Sequence, residues 1–205
     1  MGRQTRVLAA AGVVGLLLVA ATGAGAVGPG SPRVPPAPVG SDFWISGPDA
    51  VGTGSAELAV AWNATANEYL VVWSDQRDAA TQGSNIYGRR VGADGTPLGE
   101  DIRVTGAAVA TSRAQPAVVW NATFDEYLVV WSDWRSIGGG HGANIWGRRV
   151  DADGSLIGRN PRMSSGPQDE VDPSVAWNAA ANEYLAVWED DRHAEWQGAP
   201  PPADG

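Results

Sequence analysis

Residues 61–75 read Ala61-Trp62-Asn63-Ala64-Thr65-Ala66-Asn67-Glu68-Tyr69-Leu70-Val71-Val72-Trp73-Ser74-Asp75, and the same stretch returns twice. It recurs at 119–133, and again at 176–190 with Ala186 for Val and Glu189 for Ser. The marker residues Trp62, Trp120 and Trp177 stand 58 and 57 residues apart. A period of this length is the mark of a repeat architecture, in which each unit is one supersecondary element that buries its apolar faces on its neighbours.

A second stretch repeats behind the first. Asn85-Ile86-Tyr87-Gly88-Arg89-Arg90-Val91 with Ala93-Asp94-Gly95 returns as Asn144-Ile145-Trp146-Gly147-Arg148-Arg149-Val150 with Ala152-Asp153-Gly154. The spacing is now 59, and the added residue falls in Gly- and Ser-rich sequence after Asp75 and Asp133, which reads as a surface loop. In the middle unit, residues 117–120, 126–132, 144–150 and the run around 162–164 are short apolar runs separated by turn residues. That pattern describes four strands rather than helices.

The second of these strands decides the packing. Tyr127-Leu128-Val129-Val130-Trp131 has no charged residue, and alternate side chains of a strand point to opposite faces. Both faces are therefore apolar and both must be covered, so the sheets stack on one another. Radially stacked four-stranded sheets are the blades of a β-propeller, and the expected fold is all-β, β-propeller-like, built of four-stranded blades.

Tyr-Leu-Val-Val-Trp-Ser-Asp-x-Arg followed by Asn-Ile-Tyr/Trp-Gly-Arg-Arg-Val-x-Ala-Asp-Gly resembles the propeller-type repeats of a largely uncharacterised family of secreted bacterial proteins, over roughly residues 41–192. The resemblance implies fold and export and assigns no catalytic residue.

The N-terminus agrees with export. Arg3 and Arg6 precede the apolar run 7–22, and Ala24-Gly25-Ala26 offers a small-residue cleavage site, so residues 1–26 read as a signal peptide. The run falls short of the about 20 residues that span a bilayer, and no stable membrane span is expected after cleavage. Residues 27–40, rich in Pro and Gly, read as an extended linker. The expected location is secreted, extracellular or in the cell envelope. With no Cys, stability cannot come from disulfides.

All 14 basic residues are Arg. Removing the signal takes two Arg and no acid from a formal net charge of −9, leaving −11. No Arg cluster exceeds a pair, which excludes a nucleic-acid partner, since that needs a basic face to replace phosphate counterions.

The units divide near 41–101, 102–161 and 162–192. The third lacks the Asn-Ile-Trp-Gly-Arg-Arg half, and residues 193–205 read as a disordered or frame-shifted tail. The count is thus about two and a half blades, against at least about four in a closed propeller. The reading we prefer is a truncated or frame-shifted fragment of a longer protein; the alternative is self-association through open blade edges.

The candidate ligand-binding residues are Asp133, Trp134, Arg135 and His141. Asp133 and Arg135 belong to the Trp-Ser-Asp-x-Arg motif, where a carboxylate and a guanidinium beside an aromatic ring suit a sugar. Recurrence in each unit (Asp75 with Arg77, Asp190 with Arg192) also fits a structural ion pair, the reading we prefer. Trp134 has no Trp counterpart in the other units, and His141 lies in a Gly-rich loop. Asp151-x-Asp153-Gly154 offers a weak Ca2+ possibility, but Gly92 replaces Asp151 in the sister repeat, which favours a plain Asp-Gly hairpin turn. No other cofactor is indicated. Asn63-Ala64-Thr65 and Asn121-Ala122-Thr123 match a glycan acceptor pattern, yet the third copy is Asn178-Ala179-Ala180, so a turn-forming Asn explains all three.

With no unique catalytic cluster, the leading reading is a secreted, non-enzymatic binding or scaffolding module for a protein or glycan, itself a fragment of a longer protein. The alternative is a fragment of a carbohydrate-active, sialidase-like hydrolase, although the Ser-x-Asp-x-Gly-x-Thr-Trp box of those propellers is not found. A gene remnant without function is the third reading.

Overall fold

A computed structural model describes residues 9–10, 13–20, 37–48, 50, 57–106, 111–135 and 142–191. Ten strands form three blade-type antiparallel sheets. The first is β4 (Leu58–Asn63), β5 (Glu68–Asp75), β6 (Asn85–Gly92) and β7 (Pro97–Arg103), paired in that order. The second repeats the order with β8 (Arg113–Asn121), β9 (Glu126–Asp133), β10 (Asn144–Asp151) and β11 (Leu156–Ile157). The third pairs β12 (Glu170–Asn178) with β13 (Glu183–Asp190). Ahead of them, β1 (Ala9–Ala10), β2 (Val13–Ala20) and β3 (Ala37–Trp44) form a separate three-stranded sheet. A single turn of helix, α1 (Ala79–Gln82), interrupts the loop after β5. Among the described residues no helix is long and apolar enough to cross a membrane.

The outer strand of the second sheet is brief. Its pairing breaks at Gly158, where φ is 66°, and resumes as a lone bridge from Trp146 to Arg162. Only part of the strand expected around 162–164 is therefore present.

Stacking follows the alternation of β9. Tyr127, Val129 and Trp131 join Ala61, Leu70, Val72 and Ile86 of the first sheet in one core. Leu128 and Val130, on the opposite face, pack with Val175, Tyr184 and Trp188 of the third. A third cluster, Val71, Trp73, Tyr87 and Val91 closed by Ile45, covers much of the first sheet's far side.

The turns explain the repeated polar residues. Asn63 is fully buried; its Oδ1 accepts from the amides of Thr65 and Ala66, both at 2.9 Å, and its Nδ2 donates to Asp125 of the next sheet at 2.9 Å. Asn121 does the same, accepting from Thr123 at 2.8 Å and donating to Asn182 at 3.0 Å. Asn178 accepts from Ala180 at 3.0 Å. The repeated Trp-Asn is thus a turn cap in all three sheets and an intersheet clasp in the first two. In the β6–β7 and β10–β11 turns, Gly95 and Gly154 take φ of 88° and 93°, conformations that a side chain disfavours. Asp94 and Asp153 accept from the amides two residues on, at 2.9 and 2.7 Å.

Candidate functional site

At the end of β9 the Trp-Ser-Asp-x-Arg motif closes on itself. The Asp133 carboxylate is buried. It accepts from the Trp131 indole at 3.1 Å, from the Arg135 amide at 3.0 Å, from the Arg135 guanidinium, and from Arg113 Nε at 3.1 Å. Arg135 lies over the Trp146 ring, 3.7 Å from its centroid. Burial raises the Asp133 carboxyl's pKa, but Arg135, the Trp131 indole and Arg113 outweigh it and hold the group below the usual carboxylate range. The first sheet repeats the device: Asp75 accepts from Trp73 at 3.0 Å and Arg77 at 2.6 Å, and Arg77 lies 4.1 Å over Tyr87. These carboxylates face other side chains of the fold.

Of the ligand candidates, the structure thus brings Asp133 and Arg135 together as an ion pair and leaves Trp134 beside them, half-buried, its amide donating to Ser112 at 3.1 Å. His141 lies outside the described residues. Asp151 and Asp153 sit at the opposite end of the sheet, at the β10–β11 turn, where Asp153 is committed to Ser155. Among the described residues no three His, Cys, Asp or Glu side chains group as metal ligands would.

Arg113, which repeat matching passes over, is the buried link between sheets. Beyond Asp133 it donates to Asn85 Oδ1 at 2.8 Å, and its carbonyl accepts from Ser74 and Ser84 at 2.8 and 3.0 Å. The corresponding residue in the third unit is Glu170, which accepts instead from Asn144 at 3.2 Å, from Ser164 and from the Gly166 amide at 3.1 Å. One position therefore carries opposite charges in successive units, each satisfied by a re-oriented Asn.

Two residues further along the inner strands lies the arrangement with most scope for chemistry. Residues 57, 115 and 172 each stand five before the repeat Trp, and Glu57, Gln115 and Asp172 together with Leu58, Pro116 and Pro173 line one cleft of about 380 Å³. The β8–β9 ladder skips from Ala114 to Ala117, and the β12–β13 ladder from Val171 to Ser174, so Gln115 and Asp172 sit in bulges. Both have positive φ, 55° and 51°, which costs a non-glycine residue about 1–2 kcal/mol. Each bulge is tied to its neighbour: the Gln115 amide donates to the Glu57 carboxylate, and the Asp172 amide to Gln115 Oε1 at 3.3 Å. Asp172 is exposed. The starts of the three innermost strands, with Glu57 just ahead of the first, thus bring two carboxylates and an amide to one opening, at the end of the sheets that carries Asp133 and Trp134.

No protein-family model matches the chain, and a search of curated proteins finds no match. Solved structures match in fold. The endo-arabinase of Bacteroides thetaiotaomicron VPI-5482 superposes with a TM-score of 0.50 at 12% identity, over 88% of this chain and 67% of its own. The alpha-L-arabinanase of Penicillium chrysogenum, complexed with arabinobiose, gives 0.49 at 16% identity, over 81% of this chain and 46% of its own. The Hadza microbial sialidase Hz136 gives 0.45 at 9% identity, over 68% of this chain and 35% of its own. The chain therefore spans under half the length of the Penicillium enzyme. At these identities the likeness is one of fold: all-β, antiparallel and propeller-type.

Proposed function

We propose that this chain belongs to a carbohydrate-active β-propeller and that the cleft bounded by Glu57, Gln115 and Asp172 is its saccharide site. The observation that carries the reading is the placing of two carboxylates and an amide around one opening, Glu57 immediately before the first inner strand and Gln115 and Asp172 near the starts of the next two. It is supported by strained bulges that hold two of the three side chains there, since strain retained at equivalent positions points toward function. Glycoside hydrolysis uses a pair of carboxyl groups, one protonating the leaving oxygen and the other acting as base or nucleophile. In this reading Glu57 and Asp172 form that pair and Gln115 holds a sugar hydroxyl. The solved structures of like fold are named for arabinan- and sialoside-cleaving enzymes, which suggests arabinofuranosides and sialosides as first substrates. Residues 1–26 we read as an export signal, which suits a polysaccharide met outside the cell.

The test is turnover of debranched arabinan and of aryl arabinofuranosides and sialosides by the exported protein. Glu57→Gln and Asp172→Asn should each lower kcat by about 100- to 10 000-fold while the fold is retained. Unchanged turnover in both variants would sink the assignment.

A second reading, a saccharide-binding module without turnover, is favoured by one contact: the Gln115 amide already occupies the Glu57 carboxylate, which suits holding a ligand more than moving a proton. Retention on an arabinan column, lost in Asp172→Asn with no hydrolysis by the parent chain, would select it.

A further inference from the structure

The polar groups of the cleft at Glu57, Gln115 and Asp172 form a directed chain. The Gln115 amide donates to the Glu57 carboxylate, and Gln115 Oε1 accepts from the Asp172 amide at 3.3 Å. With its oxygen engaged, the Gln115 side chain has its NH2 group, a donor, to offer a ligand. The carboxylates of the units before and after it only accept when ionised. Glu57 is half-buried and Asp172 exposed, so solvent reaches both. Buried Pro116 and Pro173, with half-buried Leu58, supply the apolar part of the lining. Among the described residues that line the opening none is basic. The guanidiniums nearest in sequence are turned elsewhere: Arg113 onto Asp133 at 3.1 Å and Asn85 at 2.8 Å, Arg135 onto Asp133 and the Trp146 ring.

We propose that Glu57 and Asp172 make this cleft selective by charge, so that it takes uncharged saccharides and turns away those bearing a carboxylate, such as uronides and free-acid sialosides. The inference rests on the reading of the cleft as a saccharide site. A neutral sugar presents hydroxyl protons to both carboxylates, a hydroxyl or ring oxygen to the Gln115 NH2 group, and its C–H faces to the two Pro rings. An acidic sugar of the same shape must set its own carboxylate beside two others. Like charges brought together cost affinity, and a repulsive element of this kind discriminates as effectively as an attractive one.

Two matched pairs of ligands separate charge from shape. The first is a set of arabino-oligosaccharides substituted either with carboxymethyl or with hydroxyethyl groups, which are alike in size and differ in charge. The second is sialyllactose and its methyl ester. Dissociation constants for the exported protein, measured by calorimetry at low salt, should favour the neutral member of a bound pair by about tenfold or more. The gap should narrow as salt is raised, because screening between exposed charges tightens from about 30 Å at 0.01 M to about 3 Å at 1 M. Asp172→Asn and Glu57→Gln should each shrink the neutral-to-acidic ratio by about threefold or more, whatever they do to the absolute affinity.

Equal affinity for the two members of a bound pair, or a preference for the acidic one, overturns charge selection and leaves the saccharide site standing. Failure to bind any of the four ligands overturns the saccharide reading and this inference with it. A preference for the neutral member that persists unchanged in both variants, each folded by far-UV circular dichroism, overturns the assignment of selectivity to Glu57 and Asp172. So does a preference indifferent to salt, since it would come from shape.

Discussion

The second and third sheets share nearly the same strand, Glu126-Tyr-Leu-Val-Val-Trp-Ser-Asp133 against Glu183-Tyr-Leu-Ala-Val-Trp-Glu-Asp190, and their surroundings differ completely. Every residue of β9 is buried; in β13 exposed and half-buried residues alternate. The sequence of β13 still carries apolar side chains for both faces, so its pattern anticipates a neighbour on each, and among the described residues only one of the two is covered. A strand's apolar content states how many faces it was built to bury. Whether each is buried depends on what is stacked against it.

The sharpest way to break the comparison is at Asp133. Its carboxylate compensates the buried guanidinium of Arg113, so Asp133→Asn should strand a buried cation and cost about 3–5 kcal/mol in denaturant unfolding. A loss under about 1 kcal/mol would mean the pair is dispensable to the stack.

Next in size, Leu128→Ala removes a side chain packed between the second and third sheets and should cost about 2–4 kcal/mol. Leu185→Ala at the matching exposed position should cost under about 1 kcal/mol in dilute protein. Equal costs would show that β13 is covered in solution.

The smallest effect concerns the one face of β13 that is covered. Tyr184 donates to Glu126 at 3.2 Å, and burial foremost, with the Glu126 carboxylate adding to it, pushes its phenol up to about 12. The neutral phenol is the form the fold favours. Its contribution is therefore fully present below the unfolded value near about 10 and is lost as pH rises through about 12. Tyr87, buried and bonded to Asp78 at 2.6 Å, behaves likewise. Urea midpoints should fall between pH 10 and 12, and Tyr184→Phe should flatten part of that fall; an identical profile in the variant would refute the assignment.

Much of the fold was legible in the residues. The period, the strands of each unit and the double-faced burial of Tyr127 to Trp131 all rest on local pattern, and so does the Asp-Gly turn. The structural role of Asp133 with Arg135 was also readable, because a device recurring in every unit serves every unit. The cleft was not readable. Glu57, Gln115 and Asp172 occupy one repeat position with three different residue types, and matching recurring residues passes over such a position. Two of the three precede Pro, Pro116 and Pro173, and that was the available signal.

The sequence by itself determined the repeat, the strand content and the demand that apolar strands be covered on both sides, because side-chain alternation and turn chemistry act over a few residues. Only the tertiary structure decided which faces met a partner, that Arg113 and Glu170 could serve one position with opposite charge, and that three dissimilar residues nearly sixty apart share an opening. Those outcomes depend on how sheets stack in space, and no local pattern encodes the position of a neighbour.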